Sequence, residues 1–277
     1  MRPFLPATLF PELRTWRPIR RLLAHQVARV RDPARLPRRV FLFWDRGLAA
    51  APEIVRFCVA SWKDMNPGWE VVLLDGNAAE AILPRAGLRA DISVNHYSDI
   101  LRTELLLRAG GVWADATCLC AVPLESWIGM LFQQADVFAF DRPGRDRAVS
   151  TWFLASVPGA PLMRRWNEVQ KAYWAPPRRA APPYYASHAL FEHLVRFDPR
   201  MRRAWAEVPK FSAEPPHRLQ RVLAAGRVAT PEDLGIIRAS PVHKLTWKES
   251  LRVADVTAVL AVARQAGTRE ALGVAAE

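Results

Sequence analysis

Apolar and polar positions change period several times along this chain, and each change marks an element. Arg39-Val40-Phe41-Leu42-Phe43-Trp44 is a short apolar run closed by Asp45, the pattern of a buried strand. From Pro52 to Met65 the spacing becomes helical: Ile54, Val55, Cys58, Val59 and Trp62 share one face, and Pro52 suits the first turn. Asn66-Pro67-Gly68 breaks that helix. Glu70 to Leu74 reads as a second strand ending at Asp75, and a helix follows near Ala78 to Leu83. Ser98 to Glu104 opens another helix with Ser98 as its N-cap. Gly110-Gly111 stops it, and Val112 to Ala114 forms a strand from which Asp115 emerges. Asp136 to Phe140 and Thr151 to Ser156 read as strands, and Leu162 to Trp174 as a helix. Arg178 to Tyr185 is a proline-rich loop, and residues 188–208 are helical in two pieces broken at Asp198-Pro199. The alternation of strands and helices predicts an α/β fold with a largely parallel sheet and right-handed crossovers.

Ligands of open α/β sheets sit at the carboxyl ends of the strands. Asp115 is placed at such an end, and Asp99 and Arg102 lie one turn apart on the helix before it. That grouping suits a charged, metal-bound ligand, and a diphosphate is the first candidate. The plainer readings are a turn cap for Asp115 and a surface ion pair for Asp99 and Arg102, which contributes little stability.

Charge changes the picture at one end. The chain has 277 residues and a formal net charge of +12. Arg2, Arg14, Arg17, Arg20, Arg21, Arg29, Arg31, Arg35, Arg38 and Arg39 face only Glu12 and Asp32. Leu13, Trp16, Ile19, Leu22, Leu23, Val27 and Val30 recur among them at helical spacing, so residues 1–36 read as a basic amphipathic extension. Such a helix either lies on an anionic membrane surface or packs on the domain with a solvated basic face. No nucleic-acid motif accompanies the charge. Cys58, Cys118 and Cys120 have no zinc spacing and read as small buried residues in a reducing compartment. No apolar run spans a bilayer, and the first residues lack a signal peptide's apolar region, so a cytoplasmic location is expected.

The residues also carry a resemblance. Pro37-Arg38-Arg39-Val40 with Phe43-Trp44, Ala51-Pro52-Glu53-Ile54-Val55, Ser61-Trp62 with Asn66-Pro67, and His96-Tyr97-Ser98-Asp99-Ile100-Leu101-Arg102 occur in that order. Gly110-Gly111-Val112-Trp113 with Asp115-Ala116-Thr117, Trp152-Phe153 with Ala155-Ser156, Pro215-Pro216-His217, and Ser240-Pro241-Val242-His243-Lys244-Leu245-Thr246 complete the series. Together they resemble the bacterial capsular polysaccharide synthesis proteins of the glycosyltransferase family 32 type, whose sugar-binding region carries a DXD motif.

The resemblance implies a GT-A fold over residues 37–254, with a mostly parallel sheet flanked by helices; the Ala- and Val-rich tail over 255–277 reads by itself as a short helix. It implies a retaining glycosyltransferase that takes a nucleotide-sugar donor, usually with Mn²⁺ or Mg²⁺, and a saccharide or lipid-linked acceptor, working in the cytoplasm or at the inner membrane face. Asp115 then holds the metal, while Thr117 stands where the broader pattern has a second aspartate and either ligates or bonds to backbone. His243 completes a metal sphere and Lys244 neutralises the diphosphate. Asp99 meets ribose or sugar hydroxyls, and Arg102 the sugar or phosphate. By their place at the end of the first strand, Trp44 either stacks on the base or packs in the core and Asp45 accepts a hydrogen bond from base or ribose, while His96 lines the donor pocket or is structural. Asp141 is the one candidate nucleophile, and His188 and His217 are acceptor-side candidates. Two other classes stay open: a metal-dependent nucleotidyl- or phosphotransferase, and a non-catalytic saccharide- or membrane-binding relative.

Overall fold

A computed structural model describes residues 35–144, 147–176 and 184–271. The strand β1 (Arg39–Phe43) is buried over its last four residues. It pairs in parallel with β2 (Glu70–Leu74), Phe43 facing Leu74, and with β3 (Gly111–Ala114), Val40 facing Val112. Next to β3 lies β6 (Arg147–Ser156), antiparallel with Val112 opposite Ala155, and outside it β5 (Val137–Gly144). The order is therefore β2-β1-β3-β6-β5. Four strands share one direction and β6 runs against them, which keeps the sheet mostly parallel, as the pattern implied. The reversal follows from β5 and β6 pairing as sequence neighbours, with Gly144 opposite Arg147.

The helices cover this sheet as their spacing requires. α1 (Glu53–Met65) buries Ile54, Val55, Cys58, Val59 and Trp62, the face read from the sequence. α2 (Gly76–Ile82) is capped by Asp75, whose carboxylate accepts from Ala78 N–H. α3 (Val94–Ala109) begins one turn before the predicted start. Ser93 is its cap, accepting from His96 N–H, while Ser98 lies inside the helix and donates to the Asn95 carbonyl. The earlier start follows from packing: Tyr97 is fully buried and its hydroxyl donates to the Leu83 carbonyl, which seats that first turn on the core. Gly110 and Gly111 then turn the chain at φ of 66° and 97°. A Cβ at Gly111 would stand 2.6 Å from the Arg39 carbonyl oxygen, so the β3–β1 approach requires glycine there.

After the short α4 (Ile128–Leu131) and the β5–β6 pair, α5 (Pro161–Trp174), α6 (Ala186–Phe197) and α7 (Pro199–Glu207) follow. Asp198 separates the last two and caps α7, as the Asp198-Pro199 break predicted. α8 (Glu214–Ala224) and α9 (Pro231–Ala239) were not read from the sequence. A second sheet joins β4 (Cys118–Cys120) to β7 (Val242–Lys244), with Cys118 opposite Lys244. α10 (Val253–Ala271) is longer than the short helix expected and packs on the domain through buried Val256 and Ala263.

The basic helix expected over 1–36 lies outside the described residues save for Arg35 and Leu36. Those two already belong to the packed domain, Leu36 in the core and Arg35 paired with Asp136. Among the described residues no helix is long and apolar enough to cross a membrane. Cys58, Cys118 and Cys120 are free and buried.

Candidate active site

The carboxyl end of β3 is held by its neighbours on both sides. Asp115 continues the ladder, its N–H donating to the Trp152 carbonyl at 2.8 Å, so its side chain leaves the sheet in a defined direction. The Trp113 indole N–H donates to Asp115 Oδ1 at 3.1 Å. α3 meets this point from the side because its apolar residues are pressed into the core and carry Asp99 and Arg102 inward with them.

Arg102 is the hub. Its side chain is 6% exposed. Nε donates to the Ser98 carbonyl at 3.1 Å, Nη2 to Ser98 Oγ at 3.0 Å and Nη1 to the Thr151 carbonyl at 2.8 Å. Nη1 also lies 3.1 Å from Asp99 Oδ1, and Nη2 lies 3.5 Å from Asp115 Oδ1. The guanidinium covers the Trp113 ring at 5.2 Å. Burial raises the Asp99 pKa from 3.8 to about 6; Arg102 pulls it down and Asp115 pushes it up. Asp99 and Arg102 are thus a buried pair, not the solvated one that spacing alone would allow.

From the opposite side comes Lys244. Its ammonium is 2.5 Å from Thr117 Oγ1, 3.3 Å from the Leu245 carbonyl and 3.5 Å from Asp115 Oδ2. Asp115 therefore has a cation beside each oxygen, both beyond ordinary hydrogen-bond length. His217 stands near this array. Its ring meets Trp152 edge-on at 5.4 Å, and Nδ1 lies 2.7 Å from the Ala213 carbonyl. A carbonyl only accepts, so Nδ1 carries the proton and Nε2 is left as an acceptor. Burial lowers the His217 pKa, and Lys244 and Arg221 lower it further, so the ring is neutral at pH 7.

Beside β1, Trp44 packs edge-on against Trp247 at 5.6 Å, and Trp247 is 47% exposed. Asp45 faces Arg85 at 3.8 Å. His96 lies against Trp174 at 4.6 Å, with Nδ1 3.0 Å from Ser93 Oγ and Nε2 3.3 Å from the Tyr184 carbonyl. His96 thus joins the start of α3 to Tyr184.

A family model for capsular polysaccharide synthesis proteins matches residues 20–259, which include Asp99, Arg102, Asp115, Thr117, His217 and Lys244. The chain belongs to that family. The chain is also similar to glycosyltransferase afumC of Aspergillus fumigatus, 29% identical over 184 residues, 58% of this chain and 46% of that protein. It is 25% identical to O-glycosyltransferase braB of Annulohypoxylon truncatum over 191 residues, 61% of this chain and 45% of that one. The chain spans about half the length of the curated relatives it matches. Among solved structures, a glycosyltransferase involved in the glycosylation of the major capsid of PBCV-1 overlaps at a TM-score of 0.43, with 10% identity over 80% of this chain and 99% of that one. The PaToxG glycosyltransferase overlaps at 0.41, with 12% identity over 74% and 84%. Overlaps of that size are partial, and the architecture stands on the strand pairing itself.

Two expected site residues of this family member lie elsewhere. His243 does not face Asp115. Neighbouring residues of a strand point to opposite sides, so once Lys244 reaches Thr117, His243 points away. It is fully buried, neither ring nitrogen has a hydrogen-bond partner among the described residues, and burial, helped by Arg264, pushes its pKa to about 3. It cannot complete a metal sphere on Asp115. Asp141 lies within β5, with β6 between it and β3, and its carboxylate faces Lys210 and lies 3.7 Å from Arg142. It belongs to a separate pair, in which burial raises the carboxyl pKa and lowers that of Lys210 to about 8.

A divalent ion fits the Asp115 donor set poorly. Among the described residues no three His, Cys, Asp or Glu side chains converge. The Thr117 hydroxyl is taken by an ammonium, and both Asp115 oxygens already face cations. Trp247 was not singled out from the sequence, although it directly follows the Ser240–Thr246 stretch that carries Lys244.

Proposed function

We propose that this protein is a glycosyltransferase of GT-A type that moves a sugar from a nucleotide-diphosphate sugar to a growing cell-surface polysaccharide or lipid-linked saccharide. The observation that carries the reading is the Arg102–Asp115–Lys244 array at the carboxyl end of β3. The family's description and the relatives' names point the same way.

In this reading the bond from the sugar's anomeric carbon to the β-phosphate oxygen breaks as the acceptor oxygen bonds to that carbon. Charge grows on the leaving diphosphate, and Arg102 and Lys244, already fixed in place, stabilise it without reorganising. Asp115 and Asp99 hold the two cations apart and offer acceptors to sugar hydroxyls. Trp247, braced by Trp44, supplies an aromatic face for the base. His217 Nε2 accepts a hydrogen bond from the acceptor hydroxyl and aligns it. With retention, which the family resemblance implies, the leaving phosphate oxygen takes the acceptor's proton. The arginine-rich segment before residue 40 would hold the enzyme on anionic lipid of the inner membrane face, and co-sedimentation with anionic vesicles that fails at high salt would support this.

The test is a nucleotide-sugar panel with acceptor saccharides, read as nucleoside diphosphate release and as product anomer by NMR. One donor should be turned over with retention. Asp115→Ala should lower turnover by about 10²–10³-fold with the fold intact by circular dichroism. Release of pyrophosphate or monophosphate would replace this reading with a nucleotidyl- or phosphotransferase.

A further inference from the structure

We infer that the Lys244 ammonium occupies the cation position of this site, so that the donor's diphosphate is met by Lys244 and Arg102 in place of a divalent metal. The inference deepens the proposed function and rests on it for the identity of the anion.

The placement of Lys244 is architectural. Pairing of β7 with β4 sets Lys244 opposite Cys118, the residue after Thr117, and the Leu245 N–H donates to the Thr117 carbonyl at 2.9 Å. The side chain is thereby laid across Asp115-Ala116-Thr117. Ala116 is buried, and the outer two side chains both turn to the ammonium. An ion shared by Asp115 and Thr117 would need the volume that Nζ fills.

Charge and ligand chemistry agree with the geometry. Mn²⁺ and Mg²⁺ favour hard anionic oxygens and take several of them. Here one carboxylate faces the position, the second nearby carboxylate, Asp99, is turned to Arg102, and the imidazole of His243 is on the far side of its strand. A divalent cation would sit beside two fixed positive charges. A diphosphate would complement them.

The donor directions are also suited to it. Two of the three N–H bonds of Lys244 are directed at Thr117 Oγ1 and the Leu245 carbonyl, and among the described residues the third has only Asp115 at 3.5 Å. Arg102 approaches the same carboxylate at 3.5 Å from the other side. Both cations are close enough to be held by Asp115 and far enough to form short bonds to phosphate oxygens. Lys244 is 19% exposed and Arg102 6%, so neither is lost to bulk water.

Two measurements test this, the first without any nucleotide. Free Mn²⁺ is titrated by electron paramagnetic resonance into the wild-type chain, Lys244→Met, and Lys244→Met/Thr117→Asp. The wild type should leave the free-ion signal unchanged at millimolar Mn²⁺, and the double variant, with a second anionic oxygen and no ammonium, should bind it. Wild-type binding of Mn²⁺ that Asp115→Asn removes would overturn the inference. The second measurement is calorimetry with UDP, GDP, ADP, CDP, dTDP and inorganic pyrophosphate, in EDTA and in Mn²⁺. At least one nucleoside diphosphate should bind in EDTA within twofold of its affinity in Mn²⁺. Lys244→Met should weaken that binding at least tenfold, and Lys244→Arg should restore most of it, which separates lost charge from lost folding. Binding that requires Mn²⁺ would overturn the inference while leaving the glycosyltransferase reading intact. No binding under either condition would remove both.

Discussion

His243 and Asp99 titrate in opposite senses, and each carries the mark of where its neighbours put it. His243 has a folded pKa of about 3 against 6.5 in the unfolded chain, so between those values the native state holds fewer protons. Its contribution is fully present above pH 6.5 and is lost as pH falls. Asp99 has a folded pKa of about 6 against 3.8, so its native carboxyl holds more protons. Its contribution is present at low pH and is lost as pH rises through 6. Acidifying from pH 7 to pH 5 should cost about 2 kcal/mol through His243. His243→Leu should therefore shrink the loss of unfolding free energy between those pH values by about that amount, and Asp99→Asn should enlarge it, as urea denaturation at each pH will show. An unchanged slope in His243→Leu would mean the ring is solvated. At Arg102, Lys is not an equivalent cation, because five donors serve Ser98, Thr151 and two carboxylates from one planar group. Arg102→Lys should lower turnover at least tenfold and Tm by several degrees.

The elements that carry the site are a helix, a strand and a hairpin-free strand pair. α3 and β3 were legible because their signals are local: helical spacing, a glycine pair and a short apolar run. The start of α3 was not, since Ser93 and Ser98 are both competent caps and the choice lies with Tyr97, whose ring and hydroxyl find partners only when the first turn is helical. The pairing of β4 with β7 was hidden for a different reason. Each is three residues long, too short for a period to show, and Thr117 and Lys244 are 127 residues apart. The glycine junction gives a sharp test. Gly111→Ala combines φ of 97° with a Cβ 2.6 Å from a backbone oxygen of β1, and should cost about 3 kcal/mol. Gly68→Ala, with open space around its Cβ, should stay within about 0.5 kcal/mol. Urea denaturation of the two variants compares them directly.

Across the whole molecule, α1 ties the two sheets together. Its Trp62 stacks with Phe153 of β6 at 6.1 Å and donates its indole N–H to the Cys118 carbonyl of β4 at 2.8 Å. Ser61 Oγ accepts from Cys120 N–H, and Asn66 Oδ1 from Leu124 N–H. Trp62→Phe should keep the ring packing, leave a buried carbonyl unpaired and cost about 1–3 kcal/mol by urea denaturation. Because β4 positions Lys244, it should also weaken nucleoside diphosphate binding, read by calorimetry, while an equally destabilising change at Val256 in α10 should not. The chain by itself determined the layered α/β order, the carboxylate at the end of β3, and the shared face of Asp99 and Arg102, because strand runs, helix spacing and glycine stops act over a few residues. The tertiary structure alone decided which way β7 faces. That choice puts an ammonium, not an imidazole, beside Asp115, because adjacent residues of a strand take opposite sides and only long-range register selects between them.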